Sequence, residues 1–375
     1  MLATESILQF GAGRFFRAIA DFFVHQAREE GQAIGKIAVV QSTGDDRAKI
    51  LNDQGGKYHV ITRGLENGQI IDRIDEVASI SRAIVASDQW GEVLKIAQSS
   101  DLAYILSNTT EAGYTLDPND SLESAPPASF PAKLLHVLYQ RFQAGLPPVT
   151  VIPCELIEGN ARILKGIVLE LATKWGLPAP FLTWVGDETP WLNTLVDRIV
   201  SGTPKDHPLL ATDQMVTVAE PFAFWALENH PKAGPFISHP AITRTDRVEP
   251  YFLRKVRILN AAHTALLIRA VPRGFKIVRD AVNDPELGQW LENLLFGEIV
   301  PCLGDRVDLG KEFARQTIER FKNPFLDHKF SDIALHHASK VEIRLRTTAG
   351  EYLQKFSTQP PLLTQVLEEN ESLKM

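Results

Sequence analysis

The apolar and polar positions of this chain fall into two regimes. In the first, short continuous apolar runs alternate with amphipathic stretches. Ser6–Phe10, Lys36–Gln41, Leu102–Ser107 and Pro147–Pro153 read as buried strands. The patterns running to Ala27, from Asp88 to Ser99 and from the Pro126–Pro131 turn to Gln143 read as helices between them. That alternation predicts an α/β domain built on a doubly wound parallel sheet. From Tyr58 to Ile80 a period of two on either side of Asn67-Gly68 predicts a hairpin, an antiparallel insertion in the parallel scheme. Phe181–Val185 reads as a short strand and Val216–Phe224 as a last one. Past the polar stretch Asn229–Gly234 the second regime begins. Leu287–Ile299, Leu309–Phe321 and Leu362–Leu373 all carry helical spacing, so residues 231–375 are expected to form a mostly α-helical domain after a first domain of residues 1–230.

The strongest helical pattern runs from Asp246 to Pro272. Asp246 followed by Glu249 predicts a capping-box start, and Pro272 with Gly274 supplies the stop. Phe252, Val256, Leu259, Leu266, Leu267 and Ala270 fill one arc at about 100° per residue. His263 falls inside that arc, with Lys255 at one edge and Asn260 at the other. A helix that buries this stripe takes an ammonium, an amide and an imidazole to the border of one interior space. Such groups are costly there unless paired or used. Paired, they are a snorkelling lysine, a backbone-bonded amide and a core histidine. Used, they are a proton-transferring lysine with two donors holding an oxygen.

Two further constellations bear on that choice. Ser6–Phe10 runs into Gly11-Ala12-Gly13-Arg14-Phe15-Phe16, a strand, glycine turn and helix start of the kind that holds a phosphate in a Rossmann-like fold. The third glycine of the usual fingerprint is replaced by Phe16. At the end of the second strand, where an acid normally meets the ribose, stand Gln41 and Ser42, while Asp45, Asp46 and Arg47 come later. Ribose binding by NAD and 2′-phosphate binding through Arg47 both stay open on these residues. The strand Leu102–Ser107 ends in Asn108-Thr109-Thr110-Glu111, and Pro147–Pro153 is followed by Glu155 and Asn160, again on the carboxyl side of the sheet.

Composition narrows the partners. A net charge of −7 lacks the basic footprint of a nucleic-acid binder. Two cysteines, Cys154 and Cys302, exclude a disulfide framework and a cysteine-rich zinc site. No basic stretch precedes an apolar run at the start, and no run of about 18 apolar residues exists, so a cytoplasmic location without membrane contact is expected. A zinc alcohol dehydrogenase lacks its ligands here, and a serine hydrolase lacks its glycine-x-serine-x-glycine elbow. Tyr251 stands one helical turn before Lys255, the spacing of a short-chain reductase, but the opening turn lacks that family's further glycine.

Lysine, four residues, asparagine, two residues, histidine, as in Lys255, Asn260 and His263, resembles the catalytic pattern of the polyol-specific long-chain dehydrogenase/reductase family, which includes mannitol dehydrogenases and hexuronate reductases. The opening turn with Gly11, Gly13, Phe15 and Arg17, the string SNTTEAG ending at Gly113, and the motifs Arg320–Pro324 and His328–Ile333 are similar to its hexuronate branch. The resemblance implies NAD as cofactor, held by Gly11, Gly13, Arg14, Phe15, Ser42, Thr109 and Glu111. It implies Lys255 as general acid/base with Asn260 and His263 on the oxygen, and no metal. It implies a small sugar-acid substrate, tagaturonate before fructuronate or mannitol, bordered by Asn160 and Asp197, with Lys329, Lys340 and Arg344 as candidate partners of its carboxylate. Glu155-Leu156 departs from the aspartate-asparagine of the polyol-oxidising members. A nucleotide-sensing regulator on the same fold is the non-enzymatic alternative.

Overall fold

The computed structural model describes residues 4–109, 111–204 and 206–373. Five strands form one all-parallel sheet in the order Ile80–Val85, Lys36–Gln41, Glu5–Phe10, Tyr104–Ser107, Thr150–Pro153. Alternate residues of these strands enter two separate cores. Ile7, Ile37, Val39, Leu106 and Ile152 pack on one face, and Leu8, Phe10, Ala38, Val40, Ile105 and Val151 on the other. A sheet covered on both faces needs such continuous apolar runs, which is why the strands are legible as runs rather than as alternations.

The expected hairpin is present as Tyr58–Glu66 and Gln69–Val77, with Asn67 and Gly68 both at positive φ in its turn. A three-stranded sheet of Ile242–Thr245, Phe224–Glu228 and Thr194–Asp197 completes the strand structure near the end of the first half. The chain divides into two compact units: residues 1–61, 74–219 and 223–248, and residues 62–73, 220–222 and 249–375. Helices make up the second unit after residue 248, around a core that includes Ile258, Leu266, Leu291, Phe313 and Leu345.

Three expectations are corrected. Phe181–Val185 is helical, lying in Ala179–Thr183 and the π turn Trp184–Glu188. Pro178 and Pro180 start that helix, and Phe181 and Trp184, three residues apart, stack with ring centroids 6.1 Å apart. Val216–Phe224 is not one strand. Thr217–Ala219 and Phe224–Glu228 belong to different sheets, broken at Pro221, which has no N–H for a ladder. Asp246 does not cap the long helix, which begins at Glu249; its carboxylate accepts instead from Asn229 Nδ2 at 2.7 Å.

Asp21, in the helix Ala20–Glu29, is fully enclosed, and neither carboxylate oxygen has a hydrogen-bond partner among the described residues. Burial raises its carboxyl from 3.8 to about 7. The native state therefore holds a proton that the unfolded chain has released, and this group costs stability increasingly as pH rises through that interval. Asp21→Asn is expected to melt level with the parent at pH 4 and above it at pH 8. A melting difference that does not vary with pH would refute this account.

Candidate active site

The glycine turn lies where the sheet order reverses, between Glu5–Phe10 and Tyr104–Ser107, the place at which doubly wound folds bind ligands. Gly11 has φ of +125°, and a Cβ there would stand 3.1 Å from the Asn108 carbonyl oxygen, so only glycine fits this close approach of two strand ends. A Cβ on Gly13 would meet nothing within 4 Å, which leaves the turn open to a ligand at that point. Phe16 is buried in one core of the sheet, within a helix that runs only from Arg14 to Arg17 before the next begins at Ala20. The third-glycine position is thus a packing position. Arg14 is exposed, Phe15 half-buried against the same core, and Ser42 exposed at the end of the neighbouring strand.

Gln41 fixes the loop after that strand. Its Nε2 donates to Thr43 O at 2.8 Å and Asp46 Oδ1 at 2.9 Å, and its Oε1 accepts from Ala48 N at 2.7 Å. The bond from Gln41 holds the Asp46 carboxyl below its usual range. Thr109 is tied from behind: its N–H and its hydroxyl both donate to Glu155 Oε1, at 2.9 and 3.0 Å. Ser107 Oγ and Tyr114 OH reach the other oxygen, each at 3.1 Å. Burial pushes the Glu155 carboxyl up, against these donors. The side chain of Glu111 lies outside the described residues.

Asn160 is fully enclosed. Its Nδ2 donates to Pro153 O and Glu155 O, and its Oδ1 accepts from Ala161 N and Thr194 N. These bonds tie the two loops together. Asp197 is buried at the end of Thr194–Asp197.

In the second unit, the helix carrying Lys255, Asn260 and His263 is not uniformly α. Glu249–Arg254 and Ala261–Ala270 flank a π turn over Lys255–Asn260. On a regular α-helix residues 255 and 260 would stand about 140° apart. The i→i+5 bonding of a π turn widens the coil and draws residues five apart toward one face. The turn thus does locally what the spacing alone does not.

His263 is 6% exposed, with its ring tilted against that of Phe321 at 4.1 Å and edge-on to His328 at 4.7 Å. Its Nε2 has no hydrogen-bond partner among the described residues. Burial drives the imidazole well toward its neutral form, and the positive charges of Arg344, Arg320 and Lys340 add to that. Arg344 donates to Thr264 Oγ1 at 3.1 Å and to the Asn260 carbonyl at 3.4 Å, and Lys340 Nζ to Ile333 O at 2.9 Å. Arg344 therefore faces the helix that carries Asn260 and His263, Lys340 is tied to the helix Phe330–Ile333, and Lys329 is exposed. Arg320 is locked by Glu220 through a buried ion pair of 2.7 Å and lies 4.1 Å over the Phe222 ring. Glu155, Glu220 and His328 went unassigned in the sequence, although an acid closing an apolar strand, as at Glu155 and Glu220, is a usable signal. No group of three or more histidine, cysteine or acidic residues arranged for a metal exists among the described residues.

The sequence matches the description Mannitol dehydrogenase Rossmann domain over residues 5–237 and Mannitol dehydrogenase C-terminal domain over residues 247–367. The chain belongs to the mannitol dehydrogenase family. Among its relatives are proteins named altronate oxidoreductase. The one from Bacillus subtilis is 37% identical, with 96% of this chain and 77% of the relative covered. The one from Bacteroides thetaiotaomicron is 34% identical over 94% and 76%. Solved structures of the same fold include D-sorbitol dehydrogenase in substrate-free form, with a TM-score of 0.84 and 23% identity over 98% of this chain and 80% of that one. Another is Pseudomonas fluorescens mannitol 2-dehydrogenase in ternary complex with NAD and D-mannitol, with a TM-score of 0.81 and 21% identity over 97% and 78%. No described helix is long and apolar enough to cross a membrane.

Removing one member of the Glu220–Arg320 pair leaves a buried charge. Glu220→Ala is expected to cost about 3–5 kcal/mol of stability in urea unfolding of the full chain. Glu220→Ala with Arg320→Met should recover much of that. A double variant no more stable than the single one would remove the ion pair from the account.

Proposed function

We propose that this chain is an NAD-dependent reductase of a keto-hexuronate, converting D-tagaturonate to D-altronate. The observation that carries the reading is the surroundings of His263: a neutral, buried imidazole with an unpartnered nitrogen, in the positive field of Arg320, Lys340 and Arg344. A neutral polyol has no use for that field, whereas a sugar acid does. The altronate oxidoreductase relatives support the same branch. NAD suits the glycine turn, where a close backbone approach at Gly11 and an open face at Gly13 suit a pyrophosphate, with Thr109 and Ser42 on the neighbouring strand ends. When bound, the reduced nicotinamide supplies the hydride.

The chain's own residues handle the proton and the oxygen. Lys255 donates a proton to the oxygen of the former ketone as negative charge develops there. Asn260, on the face shared through the π turn, and His263 Nε2–H donate hydrogen bonds to that oxygen. Because His263 is held neutral, it orients the oxygen without competing to protonate it. An ammonium and two fixed donors fill the part a Lewis acid plays elsewhere. Glu155 acts behind the site, setting the path of the Thr109 loop.

Assays of NADH consumption with tagaturonate, fructuronate and, in the oxidative direction, mannitol test the proposal. The highest kcat/KM is expected with tagaturonate; turnover of mannitol alone would move the chain to the polyol branch, and turnover of none would remove the reductase reading. Lys255→Ala should lower kcat roughly 10²- to 10⁴-fold, with NADH binding, followed by fluorescence, unchanged.

A further inference from the structure

Two of the π turns in the second unit are built alike. One is Lys255–Asn260 and the other Glu342–Arg346, and each carries an arginine as its third residue, Arg257 and Arg344. Each is followed by a buried threonine, Thr264 and Thr348, whose hydroxyl donates four residues back into the turn. Thr264 reaches Asn260 O at 3.0 Å and Thr348 reaches Arg344 O at 2.7 Å. A π turn displaces carbonyls from the regular helical ladder, and such back-donation supplies a partner.

The two turns are also bonded to each other, crosswise. Arg257 Nε donates to Thr348 Oγ1 at 2.6 Å, and Arg344 Nη1 to Thr264 Oγ1 at 3.1 Å, with a longer contact of 3.4 Å to Asn260 O. Each arginine thus grips the threonine behind the opposite turn. Arg257 is 4% exposed, a charge that needs a partner at that depth. Glu351 supplies it, accepting from Nη2 at 2.7 Å and Nη1 at 3.3 Å, and is itself held by Arg306 Nη2 at 2.7 Å. A helix left to itself keeps α spacing, because closure over five residues is the rarer geometry. The crosswise bonds are the restraint that keeps Lys255–Asn260 in the wider form.

We infer that Thr348 is a positioning residue for the proposed reduction, acting through Arg257 and Arg344 to hold Lys255 and Asn260 on one face. The inference rests on the proposed roles of those two residues, whereas the lock between the turns does not. Thr348 Oγ1 accepts from one arginine and donates to the main chain of the other, so a single hydroxyl joins both halves of the lock. Without it, Arg257 keeps its charge partner but loses the bond that fixes its direction. The turn is then free to relax toward α spacing, which sets residues 255 and 260 about 140° apart.

Thr348→Val keeps the shape of the side chain and removes the hydroxyl, and Thr348→Ser keeps the hydroxyl. Both are compared with the parent in steady-state assays of the full chain, using whichever of tagaturonate, fructuronate and mannitol the parent turns over. Thr348→Val is expected to lower kcat roughly 10- to 100-fold, with KM for the nicotinamide cofactor at the parent's value and Thr348→Ser near the parent throughout. A kcat equal to the parent's, a cofactor KM that rises alongside, or a Thr348→Ser no better than Thr348→Val overturns the positioning role and leaves the reductase reading intact. If the parent turns over none of the three substrates, the reductase reading fails by itself, and the lock is read by amide hydrogen exchange over residues 255–264. Faster exchange in Thr348→Val than in the parent and Thr348→Ser supports the lock, and equal exchange overturns it. Melting curves establish that the variants are folded. If Thr348→Val is not, Glu351→Gln, whose side chain is 29% exposed, takes its place with the same expected loss of kcat.

Discussion

Desolvation of a single imidazole is the constraint around which the second unit is arranged. His263 sits where apolar spacing demands a core residue, and its ring is packed on Phe321 as a core residue would be. A charged form there is opposed twice, by burial and by the surrounding guanidinium and ammonium groups. Holding so much positive charge near one buried ring is unfavourable by itself, which explains the bidentate neutralisation of Arg320 by Glu220 and the anchoring of Arg344 on Thr264 and the Asn260 carbonyl. What remains is a buried imidazole nitrogen without a hydrogen-bond partner among the described residues.

The first unit solves a different problem. There the requirement is a backbone left open at the ends of parallel strands, and the side chains behind those ends do the fixing. Glu155 collects four donors from the segment Ser107–Tyr114, and Asn160 ties the loop after Thr150–Pro153 to Thr194. Both side chains are buried.

Much of this was legible in the sequence, for identifiable reasons. Parallel strands buried on two faces are continuous apolar runs, and the hairpin announced itself through Asn67-Gly68. The lysine, asparagine and histidine of the long helix were visible because their spacing is local. What escaped depended on contacts distant in the chain. The π turn has no residue signature, since it is decided by how the helix packs. The placement of His328 follows from pairing with residues about 50 positions earlier. Asp246 lost its capping role to Asn229, a competitor 17 residues away that the local motif does not contain. Phe181–Val185 failed because a short aromatic run suits helix and strand alike, and the period that decides it is set by the rings it meets.

The loop after Lys36–Gln41 is shaped by a neutral amide bonded to Thr43, Asp46 and Ala48 further along the chain. Ser42, Asp45 and Arg47 all point outward from a bend whose geometry does not depend on them. A scaffold of that kind leaves the outer side chains replaceable while the main-chain path is preserved.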